Sequence, residues 1–401
     1  MSNSLLTIDM ITRKSLEILE NNLVISRNVN RQYDDSFAVE GAKIGSTLRI
    51  RLPDRALVTD GAALQVQDDN EQYTTLAVTK QKHIGINFTS AELTLQLDDF
   101  ADRVLSPRLS QLAASIDADV ATAYQGIYNS VGTPGTTPAT SLVLLQAQQK
   151  LNEMAAPMSP RYATVNPAAN AALVEGMKGL FNPTDTVSRQ FKNGMMGTGV
   201  LGLDEINMSQ SIQQFTTGSR SGSITVSATM TAQGSNTITL AATTGNTVTV
   251  GDVFTIAGVN AVNPQTRQST GSLQQFTVTS ALTAASSAFT NLAFSPAIYT
   301  AATALATVDT FPQSSAVVTF VGTASTVYPQ NLVYHKNAIS LATADLLLPQ
   351  GVDMASRQVH NGISMRIVRQ YDINNDRMPC RIDVLYGYGV IRPQLATRLW
   401  G

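Results

Sequence analysis

The sequence predicts an α+β protein with an all-β domain set into it. A helical apolar stripe runs through residues 93–127, where Leu93, Leu97, Phe100 and Val104 are followed by Leu105, Leu109, Leu112, Ile116, Val120, Ala123 and Ile127. Between Ser209 and Phe320 the only charged residues are Arg220, Asp252, Arg267 and Asp309, and serine and threonine fill about a third of the positions. Short runs there alternate with a period of two. After Phe320 the charge returns, and two strong strand patterns, Ile363 to Tyr371 and Arg381 to Val390, flank the turn Asn374-Asn375-Asp376.

Taken in order, residues 1–40 read as an N-terminal arm, with Leu5, Ile8, Ile11, Leu16, Leu19 and Leu23 at helical spacing. Residues 41–89 read as a long two-stranded ribbon. Leu48-Arg49-Ile50-Arg51-Leu52 alternates, and strand character returns at Thr75 to Val78 and Ile84 to Phe88. Such a ribbon and the arm have too few apolar positions for a core of their own, so a neighbouring subunit is expected to cover them. Thr89 and Glu92 fit a capping box that opens a helix over 90–130, with a kink or break near Ser106 imposed by Pro107. Its length would approach 55–60 Å at about 1.5 Å per residue. Residues 131–216 hold two helices, Leu142 to Met154 and Pro167 to Leu180, around the strand Tyr162 to Val165, then a Gly-rich loop from Met195 to Gly202. Residues 217–320 form the inserted β domain, a small sandwich or barrel with runs at Ile224, Thr237, Val248, Phe254 and Phe276. Residues 321–401 return to the body.

Composition narrows the function. Charged residues make up 14% of the 401, against a usual share of about a quarter. With 27 Lys and Arg against 29 Asp and Glu, the net charge of −2 argues against a surface that grips nucleic acid through its phosphates. No apolar run reaches the ~18 residues of a membrane-spanning helix, and Met1 to Asp9 lacks the pattern of a secretory signal. One cysteine, Cys380, excludes an internal disulfide, and the three histidines have no zinc-site spacing.

The search for chemistry ends on bland readings. Gly194 to Gly199 lacks the Lys-Ser/Thr of a phosphate loop and reads as a surface loop. Asp372 to Asp376, with Asp383 in twelfth place, imitates a calcium loop, but Arg377 stands where glycine is needed, and a polar turn is the better reading. Asp98, Asp99 and Asp102 read as a solvated helix face, Cys380 as a buried structural thiol and Trp400 as a packing anchor. No catalytic residue, cofactor site or metal site is assigned.

Several segments carry a family resemblance. Gly251-Asp252-Val253-Phe254-Thr255-Ile256-Ala257-Gly258-Val259, with Phe276 to Thr279 beside it, looks like the main strand of the insertion. Val200 to Ile206 resembles the segment before it, and Tyr386-Gly387-Tyr388-Gly389-Val390-Ile391-Arg392-Pro393 the C-terminal ending. In this order the chain resembles the major capsid proteins of short-tailed double-stranded DNA phages, of the P-twenty-two-like kind. The resemblance implies a Hong Kong 97-type capsid fold: N-arm, extended ribbon, spine helix, peripheral and axial domains, and an immunoglobulin-like (telokin-like) insertion. It further implies self-assembly into hexamers and pentamers, a scaffolding protein during assembly, a portal protein at one vertex, and enclosed double-stranded DNA without sequence-specific contact, with no membrane involved. The expected inter-subunit contacts are Arg49, Arg51, Asp54, Arg55, Asp68, Asp69 and Glu71 on the ribbon and Arg267 in the insertion. Where the relatives carry a charged hairpin, Ala228 to Gly245 has no charge. The alternatives are a Ser/Thr-rich surface or adhesin-type structural protein and a hydrolase with an unrecognised site.

Overall fold

A computed structural model describes residues 8–32, 47–59, 61–62, 64, 66, 71–89, 106–176, 197–301 and 303–401. The expected acids Asp68, Asp69, Asp98, Asp99 and Asp102, the capping-box Glu92 and the first half of the expected spine helix lie outside these residues. The chain divides into two units, one of Met1–Ile50, Thr74–Ala121 and Ile339–Ile391, the other of Arg51–Tyr73, Thr122–Ala338 and Arg392–Gly401.

The chain opens with helices α1 (Ile8–Asn22) and α2 (Ile25–Asn28), then strands β1 (Thr47–Arg51), β2 (Tyr73–Ala77) and β3 (Lys80–Thr89) and helix α3 (Ser106–Ala121). A 3-10 turn over Thr122–Gly126 leads to β4 (Ser130–Val131), α4 (Ser141–Glu153), β5 (Arg161–Val165), α5 (Pro167–Gly176), β6 (Gly197–Val200), β7 (Leu203–Met208) and β8 (Gln214–Thr216). The insertion contributes β9 (Ile224–Val226), β10 (Ser235–Ala241), β11 (Thr247–Val248), β12 (Val253–Val262), β13 (Ser269–Val278), β14 (Leu282–Thr283), β15 (Ala288–Ile298) and β16 (Val317–Phe320). The return is β17 (Val327–Pro329), β18 (Asn331–His335), β19 (Ile339–Ala344), β20 (Met354–His360), β21 (Ile363–Arg369), β22 (Arg377–Val390) and β23 (Ala396–Leu399).

In the first unit β22 is the spine of a sheet. It pairs with β21 and β19, β20 lies outside β21, and β3 runs antiparallel to β22 from Lys80 opposite Tyr386 to Thr89 opposite Arg377. The expected ribbon is therefore shorter than read, because only β1 and β2 form a free-standing pair. Buried Ile86 gives β3 an apolar face, and β3 packs against α3 of its own chain. The arm differs likewise. Leu16, Leu19, Leu23 and Ile25 are buried within the subunit, with α1 against α3, β20 and β21. Helix α3 is described from Ser106, the place expected for a kink or break, with Pro107 in its first described turn, and it passes into the 3-10 turn after Ala121. Asp117 on α3 accepts the amides of Val24 (2.6 Å) and Ser26 (2.9 Å), and so caps α2 from another element.

The second unit is built on a six-stranded sheet in the order β4-β23-β18-β5-β7-β6, with α4 against β23, β4 and β18. Trp400 is buried beside it and donates its indole N–H to Pro329 O at 2.9 Å. The expected Gly-rich loop contains β6, which turns back into β7 through Leu201 and Gly202, both at positive φ (52° and 73°). The insertion strands close into a barrel, β10-β15-β13-β12-β16-β9, with β9 returning to β10. Of the sandwich and the barrel that the sequence left open, the strands form the barrel. Inward alternation suits either architecture, and the short strands β9 and β16 bridge the gap that would leave the sheets open. Its core is Phe254, Phe276, Phe289 and Phe294 with Leu240, Ile256, Leu292 and Ile298. Phe254 stacks on Phe276 at 5.5 Å between ring centres. The chain enters and leaves by the pair β8–β17.

Candidate assembly surfaces and the barrel mount

On the ribbon, Leu52 N–H donates to Gln72 O at 2.8 Å, which holds the two sides together beyond β1 and β2. Arg51 and Glu71 form an ion pair at 3.2 Å, both exposed; such a pair contributes about 0–1 kcal/mol. Arg49 and Asp54 are exposed. Arg55 is not: burial lowers its pKa, offset in part by nearby Tyr128, whose hydroxyl is itself pushed up by burial. The sequence reading of the ribbon weighed its charges and missed its apolar residues. Val58 is 91% exposed, Leu64 89%, Val66 85% and Tyr73 56%. Large apolar side chains held in water on one loop mark a contact surface. Their clustering between Leu57 and Tyr73 was visible in the sequence, though exposure was not.

The insertion spends its few charges on itself. Arg220 pairs with Asp252 at 2.9 Å, with side chains 7% and 0% exposed, and its guanidinium lies 4.4 Å from the centre of the Phe320 ring. Asp252 Oδ2 also accepts the Thr249 amide (2.8 Å), the Thr249 hydroxyl (3.1 Å) and the Gly218 amide (3.2 Å). Asp309 accepts the backbone (2.9 Å) and side-chain (2.8 Å) N–H groups of Asn260. Burial alone would raise its pKa, but these donors hold it below the usual carboxylate range. Arg267 sits at φ 58° and donates to the carbonyls of Ala301 and Thr303. The guanidinium expected to reach a neighbour thus ties two loops of its own barrel.

The barrel is mounted on the six-stranded sheet by side chains that reading from the sequence did not single out. The Gln275 amide accepts the Ser130 backbone N–H at 2.7 Å and donates to Ser130 O at 3.0 Å and its hydroxyl at 2.9 Å. Thr277 donates to Gln125 O at 3.0 Å, and Asn263 to Glu153 O at 2.8 Å. Arg398, fully buried, donates from Nε to Ile127 O (2.9 Å) and from Nη1 to Gly251 O (2.7 Å), and from Nη2 to the Thr277 hydroxyl (3.3 Å). Desolvation lowers its pKa to about 10, and it stays charged at neutral pH. Gly251 has φ 98°, and a Cβ there would press on Gln125 and Phe215, so only glycine brings this carbonyl to the guanidinium.

In the first unit the ionisable groups are structural. Asp383 lies between Arg366 and Arg381, and Asp119 accepts from Tyr386 (2.6 Å) and pairs with Lys82 (3.0 Å). Asp372 accepts the Asn374 amide at 3.1 Å and the Asn375 side chain at 2.8 Å, a polar turn, while Asp383 belongs to a strand. Cys380 is half-buried rather than buried, near the start of β22, where it pairs with Arg369 of β21 on one side and Ile86 of β3 on the other. Among the described residues no group of His, Cys, Asp and Glu could hold a metal ion, and no helix is long and apolar enough to cross a membrane.

Comparison with solved structures gives matches at low identity and TM-scores below 0.5. One from Mycobacterium phage Che8 is 12% identical, with 94% of this chain and 90% of that chain covered at a TM-score of 0.47. A capsid of Ralstonia phage GP4 is 7% identical, covering 89% and 84% at 0.44. The mature capsid of bacteriophage PhiM1 is 13% identical, covering 88% and 81% at 0.40. No curated protein matches. The assignment rests on the family comparison: the description "P22 coat protein, gene protein 5" matches residues 1–401, and the chain belongs to that coat protein family, as a major capsid protein of the phage head.

Proposed function

We propose that this coat subunit folds in the Hong Kong 97 manner and that its copies close into an icosahedral shell of hexamers and pentamers around double-stranded DNA. In this reading residues 217–320 are the insertion, the protein is structural and non-catalytic, and the ribbon clasps the next subunit. Scaffolding protein during assembly and a portal protein at one vertex complete the set of partners. The near-neutral charge of −2 suits a wall that contains DNA without binding it tightly.

The observation that carries the reading is the exposure of Val58, Leu64 and Val66 on a two-stranded ribbon. Arg51, Asp54 and Glu71, beside them, would set register against the neighbour, as would Asp68 and Asp69. Each exposed pair contributes about 0–1 kcal/mol, but a closed ring repeats it in every subunit. The test is the triple variant Val58→Ser, Leu64→Ser, Val66→Ser beside a variant with residues 53–75 replaced by a Gly-Ser turn. Circular dichroism should match the unmodified chain, and sedimentation should show monomers and no particles. Normal shells, or an unfolded triple variant, would place the ribbon's contacts elsewhere.

A further inference from the structure

We infer that Arg398 is the positioning residue that fixes how the barrel sits on the six-stranded sheet, so that every copy of the coat subunit presents the barrel in one orientation. The role in the shell rests on the capsid reading above; the mount itself does not.

The first argument is one of cost. A buried guanidinium with no carboxylate in direct contact is expensive, and an apolar side chain of similar volume often stabilises a protein core better. What Arg398 supplies and an apolar residue cannot is its planar set of donors. The three acceptors come from three separate stretches: Ile127 in the segment after α3, Gly251 at the start of β12, and Thr277 on β13. The Tyr124 ring also lies 5.3 Å from the guanidinium carbon. Lysine, a point charge on a flexible stem, could satisfy one of the acceptors but not hold all three in plane.

The second argument is geometric. Gln275 and Thr277 share the outer face of β13, since Phe276 and Val278 between and beside them point into the barrel core. That face meets the segment from Gln125 to Ser130, and Asn263 reaches Glu153 at another place. Gln275 and Asn263 are neutral amides that fix positions. The Arg398 fork adds a third attachment and spans both bodies, because β23 is paired within the sheet, between β4 and β18. Together with the β8–β17 pair by which the chain enters and leaves, the fork sets the barrel's orientation on the sheet.

The test uses the full-length chain with Arg398→Lys and, separately, Arg398→Met, which keeps an apolar stem in the buried site and removes every donor. The Ser130 amide is the probe, because it donates to the barrel's Gln275 side chain. For Arg398→Lys we expect unchanged β-type circular dichroism and unchanged protection of barrel-core amides such as Phe254 and Phe276. The Ser130 amide should exchange about tenfold faster. Electron cryomicroscopy of assembled particles should show barrel density blurred relative to the shell floor. Wild-type exchange at Ser130 together with barrel density as sharp as in the unmodified protein would overturn the inference. If Arg398→Lys does not fold, Arg398→Met decides it in the same way: faster exchange at Ser130 supports the mount, unchanged exchange overturns it. Should the unmodified chain form no particles, the capsid reading fails, and exchange on the monomer still decides the role of Arg398.

Discussion

Asp383 has both carboxylate oxygens occupied, Oδ2 by Arg366 at 2.6 Å and Oδ1 by Arg381 at 2.6 Å, and its side chain is fully buried. Burial pushes its pKa up, but the two guanidiniums outweigh that and hold it below the ordinary carboxylate value. A carboxylate with a depressed folded pKa contributes stability above its unfolded value, about 3.9, and loses it as pH falls through the folded value. Urea unfolding of the intact chain should therefore weaken on acidification below about pH 4, and Asp383→Asn should remove that component. At pH 7 the substitution should cost about 3 kcal/mol, the low end for stranding buried charge, since Arg381 is half in water. Cys380 gives a second test at this scale. Burial raises its thiol pKa to about 11, so labelling by a disulfide reagent at pH 7.5 should be slow in the native chain and fast in denaturant. Fast native labelling would show the start of β22 to be open.

At the scale of elements, the barrel should fold as a fragment of residues 217–320 with a cooperative melt. Its aromatic cluster and the Arg220–Asp252 pair are internal to that span. Phe254→Ala should cost the fragment about 3–5 kcal/mol, read as a lowered melting temperature. A coil-like circular dichroism spectrum of the unmodified fragment would show that the barrel needs its mount. These strands were legible because period-two alternation around Phe254 and Phe276 needs no distant partner to be seen. The closure of β9 and β16 into a barrel was not, since strand pairing across about a hundred residues leaves no local mark. The same limit explains β3. Its Ile84 and Ile86 gave the strand correctly, but whether they faced a neighbour or α3 depended on contacts far along the chain. Arg398 carried no signal: a lone arginine in Ala-Thr-Arg-Leu-Trp matches a surface residue as well as a buried one.

At the scale of the molecule, two units share one chain that crosses between them at Ile50, Tyr73, Ala121, Ala338 and Ile391. Family membership was within reach of the sequence through the order of its segments, while the exposure of the ribbon's apolar side chains was not. Charge pattern drew attention to Arg267, which the barrel uses internally, and away from Val58, Leu64 and Val66. Each of the insertion's four charges has a partner within the subunit, so its surface offers a neighbour little free charge to pair with. Raising the salt concentration should therefore leave the melting temperature of the isolated barrel nearly unchanged, since buried pairs are poorly screened. A shift of several degrees would show the Arg220–Asp252 pair to be open to solvent.

The position of β23 has a further consequence, in the order in which the protein is made. This strand lies between β4 and β18 in the six-stranded sheet and carries Arg398, yet the ribosome makes it only after the whole barrel. During synthesis β4 and β18 must wait with open edges while the barrel, complete by Phe320, is free to fold. Nascent chains stalled with residues up to 350 outside the ribosomal tunnel should thus contain a protease-resistant barrel next to a protease-sensitive sheet. Release of β23 would seal the sheet edge and seat the barrel in a single late step, leaving the subunit unable to present a fixed barrel to a growing shell before its translation has passed Leu399.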